Sequence, residues 1–460
     1  MIGRENMRKK VIAATTACAL VVFASLPLRL SAEEPSAPSG KYEPLPGQPE
    51  TKDRAEEGGI TPGETLTLTR CIEIALKKNP NIVAATNTVE VSRSRVGEAR
   101  SGYYPQLSAS AGYTRSNPTT VTTPSQRYGE YQGSVTLSQT LLDFGKTSSS
   151  VNVTKYNLAS SRSDLLTTED ATILSVKQAY YGVLQAKRNR GVAADVITQF
   201  QLHLDQAKGF YDVGTKARID VIKAEVDLSN AKLSLINAEN ALNIAWVTLN
   251  NVMGTPDAPD YTIEDDLLFQ QYAITLEEAK ARAFENRSDL KSIVAKRQAA
   301  ETNISLARSG YYPVLSGFAN YNWSGETTST MEHSWNAGVL LTVPLFSGFL
   351  TMHQAAEAKS NLYILKANEE SLRQQILLDV RQAYLNLQAA EASISTAELA
   401  TAQAKENLDL ANGRYAAGVG SPIEVSDAFA TYVTAQANYT SALSNYKIAQ
   451  ATIEKAMGAR

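Results

Sequence analysis

The sequence predicts a mainly α-helical fold made of one unit duplicated, each unit carrying a single β-hairpin suited to a membrane β-barrel. Three observations point there. The phrase "ARSGYYPQLSASAGYT" at 99–114 returns as "ARSGYYPVLSGFANYN" at 307–322. Within each unit, apolar periodicity changes from helical to strict alternation and back to helical. Finally, the chain opens on a secretory leader and then holds no uninterrupted apolar run of helix-spanning length.

The leader comes first in the chain. Arg4, Arg8, Lys9 and Lys10 precede the apolar stretch "VIAATTACALVVFASLPL", and "LRLSA" supplies small residues after it. That order is expected of a signal peptide over 1–32, cleaved near Ala32. Cys18 lies inside the apolar run rather than after it, which argues against lipid attachment. Cys71 is then the only cysteine of the mature chain, so no disulfide can form within it. Residues 33–65 are rich in Pro, Gly, Glu and Ser and lack apolar periodicity, which predicts a disordered tether.

The duplication spans the rest of the chain. Residues 67–82 ("TLTRCIEIALKKNPNI") align without gaps on 275–290 ("TLEEAKARAFENRSDL"), and the same spacing superposes the two GYYP phrases. After a variable stretch the spacing shortens by four residues. "VTLSQTLLDFG" (135–145) then falls on "VLLTVPLFSGF" (339–349), and "YDVGTKARIDVIKAE" (211–225) falls on "YAAGVGSPIEVSDAF" (415–429). "VMG" at 252–254 meets "AMG" at 456–458. The units are 66–254 and 275–460, joined by a connector at 255–274. Each is too long for a solenoid repeat and suits one half of a single architecture.

Within the first unit, 82–101 is helical in composition until Gly102 and Pro105 stop it. A strand of about 105–114 then sets Leu107, Ala109, Ala111 and Tyr113 against Gln106, Ser108, Ser110 and Thr114. A Ser/Thr/Pro-rich loop leads to a second strand of about 131–142, where Tyr131, Val135, Leu137 and Leu141 oppose Gln132, Ser134, Thr136, Ser138 and Thr140. Long helices of about 145–210 and 219–252 complete the unit. Ile173, Val176, Tyr180, Val183 and Leu184 trace one apolar stripe suited to coiled-coil packing. The second unit repeats the plan with strands of about 313–323 and 335–346 and helices of about 349–414 and 422–457.

Four strands cannot close a barrel alone, since small barrels need about eight. Two readings stay open on the residues themselves: a sheet covered by helices in a soluble protein, or an oligomeric outer-membrane barrel facing lipid on one side. The leader, the single mature cysteine and the lack of a helical span favour the second. The rival in another class is a secreted or surface structural coiled-coil protein without a channel.

Taken together, the duplicated helix–hairpin–helix–helix plan, "SGYYPxLS", "PLFSGF" and the helix turn "YxxGxxxxxEV" resemble the TolC family of outer-membrane efflux proteins, over about 66–460. The resemblance implies a homotrimer with a twelve-stranded β-barrel in outer-membrane lipid and a long periplasmic α-helical barrel. It also implies an exit duct that docks on a periplasmic adaptor protein and an inner-membrane pump, in tripartite efflux or type I secretion. The GYYP phrases would then mark the step from periplasmic helix to membrane strand. Tyr103, Tyr104, Tyr311 and Tyr312 would sit near the inner membrane–water interface, where amphipathic aromatics settle.

Nothing in the sequence suggests catalysis, a cofactor or a nucleic-acid partner. Net charge is −3, the three histidines (His203, His333, His353) are scattered, and no phosphate loop is present. The residues of interest lie at the two helix turns. The resemblance maps a channel constriction onto Glu424 and Asp427, and a closing hydrogen bond onto Asp220 and Tyr415. The family's arginine partner for that bond falls on Gly420, which predicts a weaker lock, with Lys216 and Arg218 as candidates to compensate. Gly214 and Gly418 suit tight reversals, and the turns with Lys216 and Arg218 are the expected adaptor contact. The residues alone offer another role for Glu424: Ser421 at N-cap, Pro422 at N1 and Glu424 at N3 spell a capping box. Asp427 reads equally well as a solvated face.

Overall fold

The structure, a computed structural model, describes residues 60–116 and 128–459, with Tyr128 described by its backbone alone. The leader, the tether before Ile60 and most of the Ser/Thr/Pro-rich loop lie outside the described residues.

In chain order the elements are β1 (Thr65–Leu66), α1 (Leu68–Lys78), α2 (Pro80–Arg100), β2 (Gln106–Ser116), β3 (Tyr128–Leu142), α3 (Lys146–Asp212) and α4 (Arg218–Met253). The second unit comprises β4 (Thr262–Ile263), α5 (Leu276–Asn286), α6 (Ser288–Arg308), β5 (Val314–Gly325), β6 (Glu332–Thr342), α7 (Leu350–Ala416) and α8 (Pro422–Ala456). Several elements differ from expectation, among them β3, which begins at Tyr128 rather than near 131. Thr65 and Leu66 pair in parallel with Thr262 and Ile263, so the predicted tether ends on a short strand that ties the first unit to the connector. The last strand begins earlier than expected, at Glu332, and stops at Thr342 rather than near 346. Pro344 has no N–H to give a ladder, so the chain leaves the sheet just before it.

Helix ends obey local chemistry. The Thr67 hydroxyl accepts the Arg70 N–H at the start of α1, and Thr275 does the same for Glu278 in α5. Asn79 caps α2 through Asn81 N–H, with Pro80 at the first helical position. The GYYP phrases each form one tight helical turn, Ser101–Tyr103 and Ser309–Tyr311, before the strand begins.

The four longer strands form one antiparallel sheet in the order β2-β3-β5-β6. Register alone sorts its faces. Leu107, Leu137, Ala319 and Ala337 lie in one row, and Ala109, Val135, Tyr321 and Trp335 in the next row on that face. The opposite face carries the rows Ser108–Thr136–Asn320–Asn336 and Ser110–Ser134–Asn322–Ser334. The apolar side chains stand open: Leu107 is 71% exposed, Trp335 77% and Val339 64%.

Helices α3 and α7 have 67 residues each, about 100 Å. The strand-proximal part of each is flanked by the shorter helices, α2 and α6, and the far part by the return helices α4 and α8. Small hydroxyl residues let the helices approach closely. Ser92 meets Ser161 at 2.7 Å between α2 and α3, and Ser160 meets Ser292 at 2.9 Å between α3 and α6.

The main core lies where the returning helices reach the short ones, around Tyr180, Leu184, Leu249, Met253, Val380, Leu387, Tyr446 and Met457. Two buried tyrosines strap the connector to it. Tyr180 Oη donates to the Glu264 carbonyl at 2.7 Å, and Tyr446 Oη donates to the Gln270 carbonyl while accepting the Tyr272 N–H. The duplicated corner explains "VMG" and "AMG". Gly254 and Gly458 end α4 and α8 in the left-handed region (φ +73° and +70°), pressed on the backbone of the α1–α2 and α5–α6 corners. At those corners Asn79 Nδ2 donates to Val252 O at 2.8 Å, whereas Arg287 Nη1 reaches Ala456 O at 3.5 Å. Arg287 is largely buried and also holds Asp289 and Asp379 at 2.6 and 3.1 Å. Burial opposes ionisation of Asp289, but the hydrogen bond and charge of Arg287 prevail and hold its carboxyl below the usual range.

Gly254→Ala and Gly458→Ala should each destabilise the protein by about 1–3 kcal/mol, because both a left-handed φ and a backbone clash must be accommodated. Thermal unfolding of the detergent-solubilised protein checks this, with the exposed helical Gly97→Ala as the control expected to show no loss.

Candidate functional site at the helical turns

Two reversals join the helix pairs, one between Asp212 and Arg218 and one between Ala416 and Pro422. They share one backbone design. Gly214 N–H bonds Tyr211 O at 2.9 Å and Thr215 N–H bonds Phe210 O at 2.9 Å. Equivalently, Gly418 N–H bonds Tyr415 O at 3.0 Å and Val419 N–H bonds Arg414 O at 3.1 Å. These are paired helix-terminating bonds that need a left-handed residue. Gly214 (φ +77°) and Gly418 (φ +79°) supply it, and no atom lies near either Cα face, so backbone conformation alone demands glycine there.

The two hairpins pack through α3, α7 and α8. Phe200 meets Phe429 edge-on at 5.0 Å beside Val196, Leu408 and Val425. Tyr415 is the centrepiece, 1% exposed. Its ring lies 4.8 Å from that of His203 and edge-on to Phe210 at 5.7 Å, with Lys216 Nζ 5.8 Å from the ring centre. Its hydroxyl is buried and has no hydrogen-bond partner among the described residues. Burial, and then the nearby charge of Asp220, push the Tyr415 phenol up. Asp220 and Tyr415 are therefore neighbours, but the closing hydrogen bond mapped onto them is not made within the chain. The ring is clamped by His203 and Phe210, so packing rather than Asp220 sets where the hydroxyl points. Lys216 does reach this cluster, while Arg218 is exposed at the start of α4.

His203 is only one of three scattered histidines in the sequence, and no spacing signal marks it. It is buried, and burial pulls its imidazole below the usual value. Asp227 and Asp220 counter that effect, and Lys223 adds to it.

The capping box expected at α8 forms by half. Ser421 Oγ accepts the Ile423 N–H at 3.1 Å, but Glu424 does not reach back to Ser421. Its carboxylate turns instead to Arg414 Nε, 3.4 Å away across the turn. A charged donor is a better partner for a carboxylate than a neutral N–H. Asp427 is exposed one turn further on. Glu424, Asp427 and Arg414 border one groove between α7 and α8, together with Asn407, Leu410 and Thr431. No motif marks Arg414 in the sequence, because it belongs to the other side of the turn.

At the opposite end of the long helices, Tyr103, Tyr104, Tyr311 and Tyr312 are all half exposed or more. Three phenylalanines not anticipated from the sequence join them: Phe144 lies 6.1 Å from Tyr312, and Phe346 meets Phe349 edge-on at 5.4 Å. Each strand-to-helix step uses two successive left-handed residues, Phe144–Gly145 and Gly348–Phe349. The signal was present in the aligned "DFG" and "SGF", where each unit keeps one glycine and one phenylalanine in swapped order.

Because the Tyr415 hydroxyl is buried and unpaired, Tyr415→Phe should leave stability unchanged or raise it by up to about 1–3 kcal/mol. Tyr415→Ala should cost about 3–5 kcal/mol, as an aromatic truncation in a packed cluster does. Thermal melts of both variants check this. A clear loss in Tyr415→Phe would mean that the hydroxyl finds a partner in the assembled protein.

The comparisons with known proteins agree with this geometry. Residues 71–255 and 281–459, the two units, match the family described as outer membrane efflux protein. Among curated relatives, the outer membrane protein TolC of Salmonella enteritidis is 26% identical over 425 residues, covering 87% of this chain and 84% of that protein. Protein CyaE of Bordetella pertussis is 25% identical, with 81% and 80% covered. Among solved structures, the Campylobacter jejuni CmeC outer membrane channel superposes with a TM-score of 0.74 at 18% identity, covering 93% of this chain and 94% of that one. With both units matched and the same fold in the solved channels, the chain belongs to the outer membrane efflux protein family.

Proposed function

We propose that the protein is a passive exit duct of the outer membrane, a homotrimer that receives substrate from a periplasmic adaptor and an inner-membrane pump and releases it outside. The observation that carries the barrel is the open four-stranded sheet, and the number of three copies follows the family resemblance. β2 and β6 are 11-residue edge strands with no partner on their outer sides among the described residues, and the sheet presents an exposed apolar face backed by Ser, Thr and Asn rows. In hydrocarbon every backbone polar group must be paired, so such a sheet has to close with further copies. Three copies give twelve strands, apolar outside and polar inside, as an outer-membrane barrel requires.

The tyrosines and phenylalanines at the helix–strand step suit the periplasmic headgroup level. The turns, at the far end of helices about 100 Å long, suit the periplasmic mouth. Glu424 and Asp427 of three chains would then ring the aperture with six carboxylates that attract cations and repel anions. The same exposed turns, with Gly214, Lys216, Arg218 and Gly418, are the proposed adaptor contact. The lock between the hairpins would rest on the Tyr415 cluster rather than on an Asp220–Tyr415 bond.

Single-channel recording in planar bilayers tests this reading. The wild type should give a small, cation-preferring conductance, and Glu424→Gln/Asp427→Asn should remove most of that preference. Folded protein that forms no channel would overturn the duct, and a channel whose selectivity ignores the double substitution would overturn the carboxylate ring.

A further inference from the structure

In both turns the duplication aligns one residue at the end of the first helix and one in the first turn of the next, which allows a direct comparison. In the first turn the pair is Phe210 and Asp220; in the second it is Arg414 and Glu424. Only the second holds a cation opposite the acid, at 3.4 Å. The turn is built to bring the two together. A Cβ on Gly420 would stand 2.7 Å from Tyr415 N and 2.9 Å from the Arg414 carbonyl carbon, so the chain folds flat against the end of α7 only because that position has no side chain. Helix polarity favours the same arrangement, with the guanidinium at a helix C-terminus and the carboxylate at an N-terminus. Arg414 also borders the groove that Glu424 and Asp427 border, so it shares their face rather than the buried side of the hairpin.

From this, and resting on the proposed acidic ring, we infer that Arg414 is a selectivity-determining residue that neutralises part of the ring from within each chain. Where Gly420 leaves no room for a side chain, Arg414 places the turn's positive charge one residue before Tyr415 and aims it at Glu424 instead of at Asp220. Each chain then presents Arg414, Glu424 and Asp427 at the aperture, one net negative charge instead of two. The duct is consequently less cation-selective than its acids alone would make it, and its mouth is more tolerant of anionic cargo.

Reversal potentials across a KCl gradient, measured on the reconstituted full-length protein, test this. Arg414→Gln should raise the cation-to-anion permeability ratio at least about twofold, the order that one unit charge imposes at several ångströms in a watery lumen. Arg414→Lys should keep the wild-type ratio, and Arg414→Gln/Glu424→Gln should return towards it. Asp427→Asn serves as the reference for the ring itself. If Asp427→Asn lowers the ratio while Arg414→Gln leaves it unchanged, the inference fails and the ring stands. If neither substitution moves the ratio, the ring reading fails and takes the inference with it. A rise in Arg414→Gln that Arg414→Lys does not restore would assign the effect to the shape of the turn rather than to charge, and would also overturn it.

Discussion

An antiparallel sheet of four strands leaves two rows of backbone N–H and C=O groups unpaired, and in hydrocarbon each such group costs several kcal/mol. That constraint governs the rest of the molecule. The sheet β2-β3-β5-β6 has two free edges among the described residues, and on the proposed reading further copies pair with them, making each chain a segment of a closed wall. The helices inherit the same logic. Their cores lie at the middle and at the turns, while residues such as Leu233, Ile236 and Val247 of α4 stay exposed along the sides.

Duplication meets this constraint economically, and the two units solve identical backbone problems with different side chains. At the corner between the short helices, one unit uses the amide of Asn79 to hold a helix end, and the other uses the guanidinium of Arg287 with two aspartates. The neutral solution is insensitive to pH. The ionic one stands on a carboxyl held below its usual range, so its contribution is complete above the ordinary aspartate value near 4 and is lost as pH falls through the lower, folded value. At the strand-to-helix step, one unit writes Phe–Gly and the other Gly–Phe, both in the left-handed region.

The turns show the same divergence. Both end their helices with the same hydrogen bonds and a left-handed glycine, so their shape is common. The first turn contributes Phe210 and Lys216 to the Tyr415 cluster, and the second contributes Tyr415 itself and the Arg414–Glu424 pair. The first turn thus contributes to packing the hairpins on each other, and the second adds an exposed ion pair. Since both tasks share Tyr415 and its neighbour Arg414, position and charge at the tip are coupled through a single helix end.

Much of this was legible in the sequence because it depends on local rules. Alternation, helix periodicity, the Gly and Pro stops and the repeat itself depend on residues close in the chain, so the two hairpins and the 67-residue helices could be placed within a few residues. The single glycines of the reversals were legible for the same reason, since a left-handed φ is a property of one residue. What the sequence left open depended on contacts between distant segments. The pairing of Thr65–Leu66 with Thr262–Ile263 joins residues almost two hundred positions apart, with no pattern in either short stretch to announce it. His203 became part of the tip only when α3 packed on α7, and Glu424 chose Arg414 over its capping partner only when the turn brought a guanidinium within reach. Local backbone preference can be read one residue at a time, but the partner of a side chain is decided by whichever charges and rings the assembled fold places beside it.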